Sequence, residues 1–320
     1  MNPILGAVAG ALLALTSTLA AAQNYPTKVI RMIVPLAPGG TGDTLARTVG
    51  EEMGKILGTN VVIDNRPGAG GLIGTQTVAA AAPDGYTLIN VSPSHVINPA
   101  LYTGKTYDPI RDFEPVFHIA NTYQIIVAHP SLPAKNLKEL IAAAKASPGK
   151  LSYGSAGTGS ATHLNMELFK QMAGIDIVHV PYKGSTPSRI DTVGGQIQLS
   201  MDGLLPVLPF IKDGRLRPLG LTSSKRAQIA PDIPTIGETV PGYATDTWYG
   251  ILAPAKTPKT IIAKLHDAAQ KAINTPATAA RLKQLGTDPV GGSSEQFAKL
   301  VASEARLWAK VVKVSGAKVN

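Results

Sequence analysis

The sequence predicts an α/β protein with two lobes, each a doubly wound sheet with helices on both faces. Three observations carry this prediction. Strand and helix signals alternate along most of the chain, a pattern typical of parallel sheets covered by helices. The chain has 320 residues, 44% of them hydrophobic and 16% charged, which is enough for two globular cores. A strand at 247–254 follows the second run of elements and, by returning to the first lobe, would give two hinge strands.

The first lobe begins with an apolar, β-branched run, 29-VIRMIVPL-36, which predicts a buried strand. Residues 44–57 carry apolar side chains four apart, which predicts a helix that Gly58 ends. The remaining elements predicted for this lobe are a strand at 60–65, a helix at 72–82, a turn at Pro83-Asp84-Gly85 and a strand at 86–92.

The second lobe repeats this theme before the chain returns. Its predicted strands are 123–130, 150–155, 176–182, 196–203 and 216–223, and its predicted helices are 136–147, 161–174, 187–194 and 204–214. A looser stretch at 231–242 precedes the strand 247–254, and helices at about 258–274 and 294–314 close the chain. We expect lobe one to comprise residues 23–123 and 250–320, and lobe two to comprise residues 124–249.

Three glycine-rich loops follow predicted strands, and we number them in chain order. The first loop is 38-PGGTGD-43, the second loop is 67-PGAGG-71, and the third loop is 154-GSAGTGS-160. Backbone N–H groups in such loops, together with the positive end of the next helix, suit a phosphate or a carboxylate. A simple tight turn is the alternative for any single loop. Two loops at corresponding places in two lobes favour one small anion in a cleft between them.

The loops lack the marks of nucleotide sites. The third loop has no lysine of the kind that a Walker loop requires. In the second loop region, Ile73 occupies the place of the third glycine in a dinucleotide fingerprint. The strand that follows ends at Asn90-Val91-Ser92, without a carboxylate for the ribose hydroxyls. The sequence therefore argues against a nucleotide ligand.

Patterns for catalysis and metal binding are also missing from the sequence. The segment Gly154-Ser155-Ala156-Gly157 is not a nucleophile elbow, which needs a residue between each glycine and the serine. The six histidines show no zinc-ligand spacing. The absence of cysteine excludes disulfides, thiolate catalysis and cysteine-bound zinc. No metal and no cofactor are expected.

Two polar residues beside the loops have competing interpretations. His163 falls in the first turn of the helix after the third loop, where it could contact a ligand, cap the helix or pack in the lobe. Asp43 is predicted to be the N-cap of helix 44–57 rather than a catalytic acid. Because its charge would repel a nearby anion, Asp43 should stand back from the ligand or act through water.

Charge and aromatic content exclude one class of partner. The formal net charge is +9, but the basic residues are scattered and only 5% of residues are aromatic. A nucleic-acid platform of stacked aromatic residues is therefore not expected. The charge is interpreted as a solvated basic surface, with a steering field for anionic ligands as the alternative.

The N-terminal segment predicts export. Residues 1–27 contain no charged side chain, and 4-ILGAVAGALLALTSTLAAA-22 is an apolar run that ends in small residues. Ala20-Ala21-Ala22 fits the small-residue rule for signal peptidase, so we expect residues 1–22 to be removed by cleavage before Gln23. An uncleaved membrane anchor is the alternative.

Seven segments, in order, resemble the Bug family of extracytoplasmic solute receptors, which serve tripartite tricarboxylate transporters. The segments are 35-PLAPGGTGDTLAR-47, 64-DNRPGAGGLIGT-75, 83-PDGYTL-88, 153-YGSAGTGSATHL-164, 179-HVPYKGSTP-187, 193-VGGQIQ-198 and 248-WYGILAPAKTP-258. The resemblance extends from about Tyr25 to the closing 308-WAKVVKVSGAK-318. It implies a two-lobed periplasmic binding protein of type II, a "Venus flytrap" that holds a carboxylated solute between its lobes.

The resemblance also implies which residues bind the solute. In the family, the loop matching the first loop pinches one end of the ligand, and the loop matching the third loop takes the other carboxylate. The ligand residues predicted for this chain are Leu36, Pro38, Gly39, Gly40, Thr41, Asp43, Ser94, Ser155, Gly157, Thr158, His163 and Asp202. Tyr182, Lys183 and Gly184 match a further family loop, in which Lys183 is alternatively an exposed surface charge.

The chain departs from the family pattern at two places. Leu36 stands where the family often has an aromatic residue, and the order Gly39-Gly40-Thr41-Gly42-Asp43 replaces the common Gly-Gly-Pro-Thr-Asp. We expect a periplasmic, monomeric receptor that is not an enzyme and whose partners are a small carboxylate and membrane transporter subunits or a sensor. A secreted hydrolase or isomerase is the alternative, and dicarboxylates, aromatic acids, nicotinate-like acids and amino acids all remain open as ligands.

Overall fold

The computed structural model describes residues 25–36, 38–102, 104, 106–182 and 184–315. The expected leader 1–22 and its cleavage site before Gln23 lie outside the described residues, as does Lys183. Within those limits the chain forms two α/β lobes with one sheet each, which confirms the predicted fold class.

The first sheet has six strands in the order β11-β4-β10-β3-β1-β2 and forms the six-stranded lobe. Strands β1, β2 and β3 run parallel, whereas β10 runs antiparallel to both β3 and β4, and β11 antiparallel to β4. The strand bounds are β1 Ile30–Val34, β2 Val61–Asn65, β3 Thr87–Val91, β4 Phe113–Thr122, β10 Thr247–Pro254 and β11 Asp288–Pro289.

The second sheet has five strands in the order β7-β6-β8-β5-β9 and forms the five-stranded lobe. Strands β6, β7 and β8 run parallel, and β5 runs antiparallel to β8 and β9. The strand bounds are β5 Gln124–Ala128, β6 Ser152–Ser155, β7 Val178–Pro181, β8 Leu199–Gly203 and β9 Arg217–Leu221. Three parallel strands beside one antiparallel strand therefore occur in both lobes, and β1 of the first sheet corresponds to β6 of the second.

Helices cover both sheets. In the six-stranded lobe they are α1 Thr41–Leu57, α2 Leu72–Ala79, α3 Ser94–Leu101, α8 Lys259–Ile273, α9 Pro276–Gln284 and α10 Ser294–Ser315. In the five-stranded lobe they are α4 Leu137–Ala146, α5 Ala161–Ala173, α6 Ser185–Val193 and α7 Leu204–Lys212. Short 3₁₀ turns occur at Ala69–Gly71 and Ile236–Glu238.

The sequence patterns missed four of these strands and helices, β4, β11, α3 and α9. Strand β4 has ten residues and lies next to the edge strand β11, which has only two. Helices α3 and α9 are short, with eight and nine residues, and proline weakens the helical pattern of α3. Pro93 precedes α3 and Pro99 lies inside it, while α9 begins with Pro276. The predicted elements otherwise agree with the structure to within a few residues, and strand 247–254 is confirmed as β10.

The chain crosses between the lobes at two adjacent segments. Tyr123 alone separates β4 from β5, and its hydroxyl donates a hydrogen bond to Asp288 in β11. On the return path, the Thr245 N–H donates to the Thr222 carbonyl at 2.8 Å, and β10 then pairs with β4 from Thr247 onward. These two segments form the connection around which the lobes can hinge.

Helix α10 links the lobes a second time. It packs on α3 and β4 of the six-stranded lobe and on α5 of the five-stranded lobe. Phe297 and Trp308 are each 1% exposed, and burial of such a side chain contributes about 1.5–3 kcal/mol. The Glu304 carboxylate accepts hydrogen bonds from Trp308 Nε1 at 2.8 Å and from Trp248 Nε1 at 3.4 Å, which ties α10 to β10.

Across the part of the chain that the structure describes, no helix is both long and apolar enough to cross a membrane.

Candidate binding cavity between the lobes

A cavity of about 430 Å³ lies between the two lobes, within the range of about 300–1,000 Å³ that small-molecule sites occupy. The residues that line it are Leu36, Gly70, Ser92, Pro93, Ser94, Ile97, Asn98, Leu101 and Tyr102 of the six-stranded lobe, Gln124, Thr247 and Tyr249 at the hinge, and Thr158, Gly159, Ser160 and Ala161 of the five-stranded lobe. Among these described residues none carries a formal charge. Selectivity for charge in this cavity must therefore come from backbone groups, hydroxyls and helix ends.

The third loop supplies the five-stranded wall of the cavity. Ser160 caps α5, accepting the His163 N–H at its hydroxyl at 3.2 Å. Within the described chain, the N–H groups of Thr158 and Ala161 have no hydrogen-bond acceptor in the protein. Free N–H groups at the start of a 13-residue helix form an environment suited to an anion.

A second helix begins at the cavity on the six-stranded side. Ser92 and Ser94 lie at the start of α3, with their hydroxyl oxygens 3.1 Å apart. The Asn98 side chain donates to the carbonyl of Gly70 at 3.0 Å and thereby fixes the second loop against α3. Two helix N-termini, one from each lobe, thus meet a cavity that contains no charged side chain among the residues described.

Tyr249 and Tyr102 add aromatic walls to the cavity. Tyr249 lies on the returning strand β10, and burial raises the pKa of its hydroxyl to about 12. Burial also raises the pKa of Tyr102 above its usual value. Both phenols therefore remain neutral hydrogen-bonding groups at physiological pH.

A network of neutral side chains supports the third loop from behind. The Gly159 N–H donates to His163 Nδ1 at 3.1 Å, and His179 Nε2 lies 2.7 Å from the Ser155 hydroxyl. The two imidazole rings stack with their centroids 4.1 Å apart. Burial lowers the pKa of both histidines, that of His179 to about 4. Ser155 is fully buried and does not line the cavity, so its contact with His179 is not arranged as a nucleophile and base facing a substrate.

Asp43 corrects the sequence interpretation of the first loop. Helix α1 begins at Thr41 with Gly40 as its N-cap, so Asp43 lies in the first turn and is not the N-cap. Its carboxylate accepts hydrogen bonds from the Gly39 N–H at 2.9 Å, Asn65 Nδ2 at 2.9 Å and Arg47 Nε at 3.1 Å. Burial alone would raise the pKa of Asp43, but these hydrogen bonds outweigh burial and hold it below its usual value.

The structure brings three of the predicted ligand residues to the cavity: Leu36, Ser94 and Thr158. Residues of the first loop that do not line it are Pro38, Gly39, Gly40, Thr41 and Asp43. Ser155 and Gly157, which belong to the third loop, and His163, which contacts this loop from α5, do not line the cavity. Asp202 is 2% exposed and forms an ion pair with Arg189 at 2.8 Å, and Tyr182 donates to Asp191 at 2.7 Å, so neither lines the cavity.

The sequence interpretation did not include most of the hinge and α3 residues that line the cavity. Gln124, Thr247 and Tyr249 lie on strands whose crossing was predicted, so the hinge geometry was the signal that could have identified them. Asn98 and Tyr102 belong to or follow α3, which the sequence patterns did not predict. Within the described residues, no group of His, Cys, Asp or Glu side chains is placed to hold a metal ion.

Comparison with known proteins identifies the family. The family model for the tripartite tricarboxylate transporter family receptor, TctC, matches residues 45–317. A UPF0065 protein encoded between tcbD and tcbE in Pseudomonas sp. strain P51 is 37% identical over 310 residues, which cover 95% of this chain and 92% of that protein. Protein BugT of Bordetella pertussis is 35% identical over 302 residues, which cover 93% of each chain.

Solved structures agree with the sequence relatives. A periplasmic transporter is 42% identical with a TM-score of 0.77, covering 92% of this chain and 100% of its own. An R. palustris protein solved with adipate is 37% identical with a TM-score of 0.76, and the match covers 92% of this chain and 99% of that protein. MatC of Rhodopseudomonas palustris, solved with bound malate, is 32% identical with a TM-score of 0.74, and the match covers 90% of this chain and 100% of that protein. This chain, a two-lobed solute receptor by fold and by sequence, belongs to the tripartite tricarboxylate transporter receptor family, TctC.

Proposed function

We propose that the protein binds a small carboxylated solute in the cavity between its lobes. The observation that carries this proposal is the free N–H pair of Thr158 and Ala161 at the start of α5, in a cavity whose described lining has no charged side chain. Such a site favours an anion without the desolvation cost of a buried lysine or arginine. The adipate and malate in two structural relatives support a carboxylate as the ligand class.

The proposed function also assigns the protein a cellular compartment and partners. The protein is a monomeric periplasmic receptor, made with a leader that is cut before Gln23, and it delivers its solute to membrane subunits of a tripartite tricarboxylate transporter or to a sensor. The family and the apolar run 4–22 support this assignment. Intact mass of the protein purified from periplasm tests the cleavage site, and a mass that retains residues 1–22 would contradict it.

The lobes divide the chain as residues 23–123 plus 250–320 and residues 124–249. Strand membership supports this division to within a few residues, since β10 of the six-stranded sheet begins at Thr247. A solute that contacts both lobes binds the closed arrangement more tightly than the open one, and this difference shifts the population toward closure. Small-angle scattering should show a smaller radius of gyration with ligand than without it, and an unchanged radius at saturation would contradict hinge closure.

Thermal unfolding of the mature protein tests the ligand class. Adipate, malate and other small carboxylic acids should raise the unfolding temperature, because a ligand at 100 times its Kd adds about 2.7 kcal/mol to the free energy of unfolding. The matched control is the diamide of each acid, which keeps the shape and removes the charge. The proposal fails if no acid stabilises the protein or if the diamides stabilise it equally.

A further inference from the structure

Two histidines contact the third loop from behind, the buried His163 and the half-buried His179, and neither has a role in the proposed function. His163 belongs to α5 and His179 to β7, so the loop between β6 and α5 is supported by two separate elements. Neither ring lines the cavity. Their hydrogen bonds nevertheless end on the loop that does.

The hydrogen bond to His163 defines the protonation state that the loop requires. The Gly159 N–H points its proton at His163 Nδ1, so Nδ1 must offer a lone pair and the ring proton must reside on Nε2. A doubly protonated imidazole has no lone pair and would oppose this N–H with another donor. Gly159 would then lose its partner, and its neighbours Thr158 and Ser160 line the cavity.

His179 supports the other end of the loop through Ser155. Its Nε2 contacts the Ser155 hydroxyl at 2.7 Å, and that hydroxyl oxygen accepts the Gly157 N–H at 3.1 Å. The loop is therefore held at Gly157 through Ser155 and His179, and at Gly159 through His163. Because the rings stack at 4.1 Å, two positive charges there would repel each other.

The surroundings offer little compensation for a charged imidazole. The charged groups that face the pair are Glu167 and Lys170 of α5, and the phenol of Tyr153 from β6 stacks on His179 at 4.9 Å. Glu167 already binds Lys170 at 2.8 Å and accepts the Tyr153 hydroxyl at 2.7 Å. Its charge is thus largely neutralised, and burial lowers the pKa of both rings.

We propose that His163 and His179 are positioning residues for the solute: as neutral imidazoles they hold Gly157 and Gly159 in place, which keeps the N–H groups of Thr158 and Ala161 free at the cavity. The inference rests on the proposed function of the cavity. It assigns the histidines to the binding machinery although neither touches the solute.

Substitution of His163 separates positioning from packing. His163→Leu keeps a side chain of similar bulk but removes the hydrogen-bond acceptor. The affinity for adipate or malate should then fall about 10- to 100-fold, which corresponds to a loss of about 1.4–2.8 kcal/mol in binding free energy. His163→Asn places an amide oxygen near the Nδ1 position and should restore affinity to within about threefold of the parent. The control is His118→Leu, which removes a buried histidine from β4 in the other lobe and should lower stability while leaving affinity unchanged.

A pH profile supplies a readout that packing alone would not change. The quantity to measure is the Kd of the parent divided by the Kd of a His163→Asn/His179→Gln double variant. Protonation of the ligand affects both Kd values equally, so its effect cancels in this ratio. This ratio should rise as the pH falls from 6 to 4. A ratio that falls instead would mean that imidazolium attracts the carboxylate, and the proposal would be wrong.

Hydrogen exchange at the Gly159 amide tests the histidines without any ligand. In the ligand-free protein, His163→Leu should speed exchange of this amide and His163→Asn should restore its protection. If the parent binds no small carboxylic acid, the proposed function fails while this measurement still tests the loop. The positioning role is overturned if His163→Leu leaves exchange of the Gly159 amide unchanged. It is also overturned if His163→Leu leaves the affinity unchanged for an acid that the parent binds.

Discussion

The first and third loops occupy the same place in the two sheets, but the first contains a carboxylate and the third contains none. Each follows the parallel strand that lies between two others, β1 in one lobe and β6 in the other, and each leads into a helix. The first loop ends in Asp43, whose carboxylate folds back onto the Gly39 N–H. The third loop contains only neutral groups, and Thr158 to Ala161 line the cavity.

Loops at equivalent places in the two sheets therefore present different groups at the ends of their helices. At the first loop, the protein's own carboxylate already occupies the positive end of α1, with Arg47 and Asn65 holding it there. At the third loop, the free N–H groups have no acceptor within the described protein. We therefore expect the third loop to bind the solute's carboxylate and the first loop to shape the cavity through Leu36.

The largest contrast should come from the paired variants Gly157→Ala and Gly39→Ala. Both glycines have positive φ, +122° and +85°, but a Cβ at Gly157 would lie 2.9 Å from the Tyr182 carbonyl oxygen, whereas a Cβ at Gly39 meets no atom within 4 Å. Gly157→Ala should lower the free energy of unfolding by about 2–4 kcal/mol and affinity by more than about 100-fold. Gly39→Ala should cost only about 1–2 kcal/mol of stability. Denaturant unfolding and calorimetric titration measure both, and equal affinity losses would erase the contrast.

Removing one hydroxyl from each loop sharpens the comparison. Thr158→Val should weaken carboxylate binding about 10- to 150-fold, because a hydrogen bond to a charged group contributes about 1.5–3 kcal/mol. Thr41→Val, the matched change in the first loop, should alter affinity by less than about threefold, since Thr41 does not line the cavity. Titration with the same acid decides between them. A large loss in Thr41→Val would assign the first loop to the ligand after all.

Acid should loosen the two loops in different pH ranges. In the folded protein, the pKa values of the histidines behind the third loop lie below the usual 6.5, and that of His179 is about 4. As the pH falls, these histidines are protonated in the unfolded chain before they are protonated in the folded protein. The free energy of unfolding should therefore decrease as the pH drops from about 6.5 to 4. Asp43 has a folded pKa below its usual value, so its contribution persists above pH 3.8 and is lost only as the pH falls further. Amide exchange at Gly159 and Gly39 over this pH range measures the separation, and loss of protection at the same pH would contradict it.

The smallest effect is expected for Asp43→Asn. The amide oxygen still accepts the Gly39 N–H, while the negative charge near α1 is removed. Carboxylate affinity should rise less than about fivefold, because the charge is already paired with Arg47 and acts from outside the cavity. Titration at low and high salt tests this, since an electrostatic gain should shrink as salt increases. A loss of affinity would show that the solute needs the Asp43 charge.

Sequence periodicity predicted most of the fold because the parallel strands are short, apolar and separated by amphipathic helices. It could not predict α3, because Pro93 before this helix and Pro99 inside it weaken the helical pattern, and so it missed a wall of the cavity. The glycine pattern located both loops but not their difference. That difference depends on the Asp43 side chain turning toward the loop, where Arg47 of the same helix and Asn65 at the end of β2 hold it. The hinge residues Gln124, Thr247 and Tyr249 acquire a role only when distant segments meet.

The pairing of β4 with β10 also dictates an order of assembly during synthesis. Thr122 and Thr247 are register partners, so this pairing must close a loop that contains the whole five-stranded lobe. The five-stranded lobe draws on one continuous stretch of chain and can fold as it leaves the ribosome, whereas the six-stranded lobe must wait for β10, β11 and α10. Nascent chains that stop near residue 246 should thus present a finished second sheet beside an unfinished first one. Completion of the first sheet is then the slow, non-local step that commits the receptor to its final form.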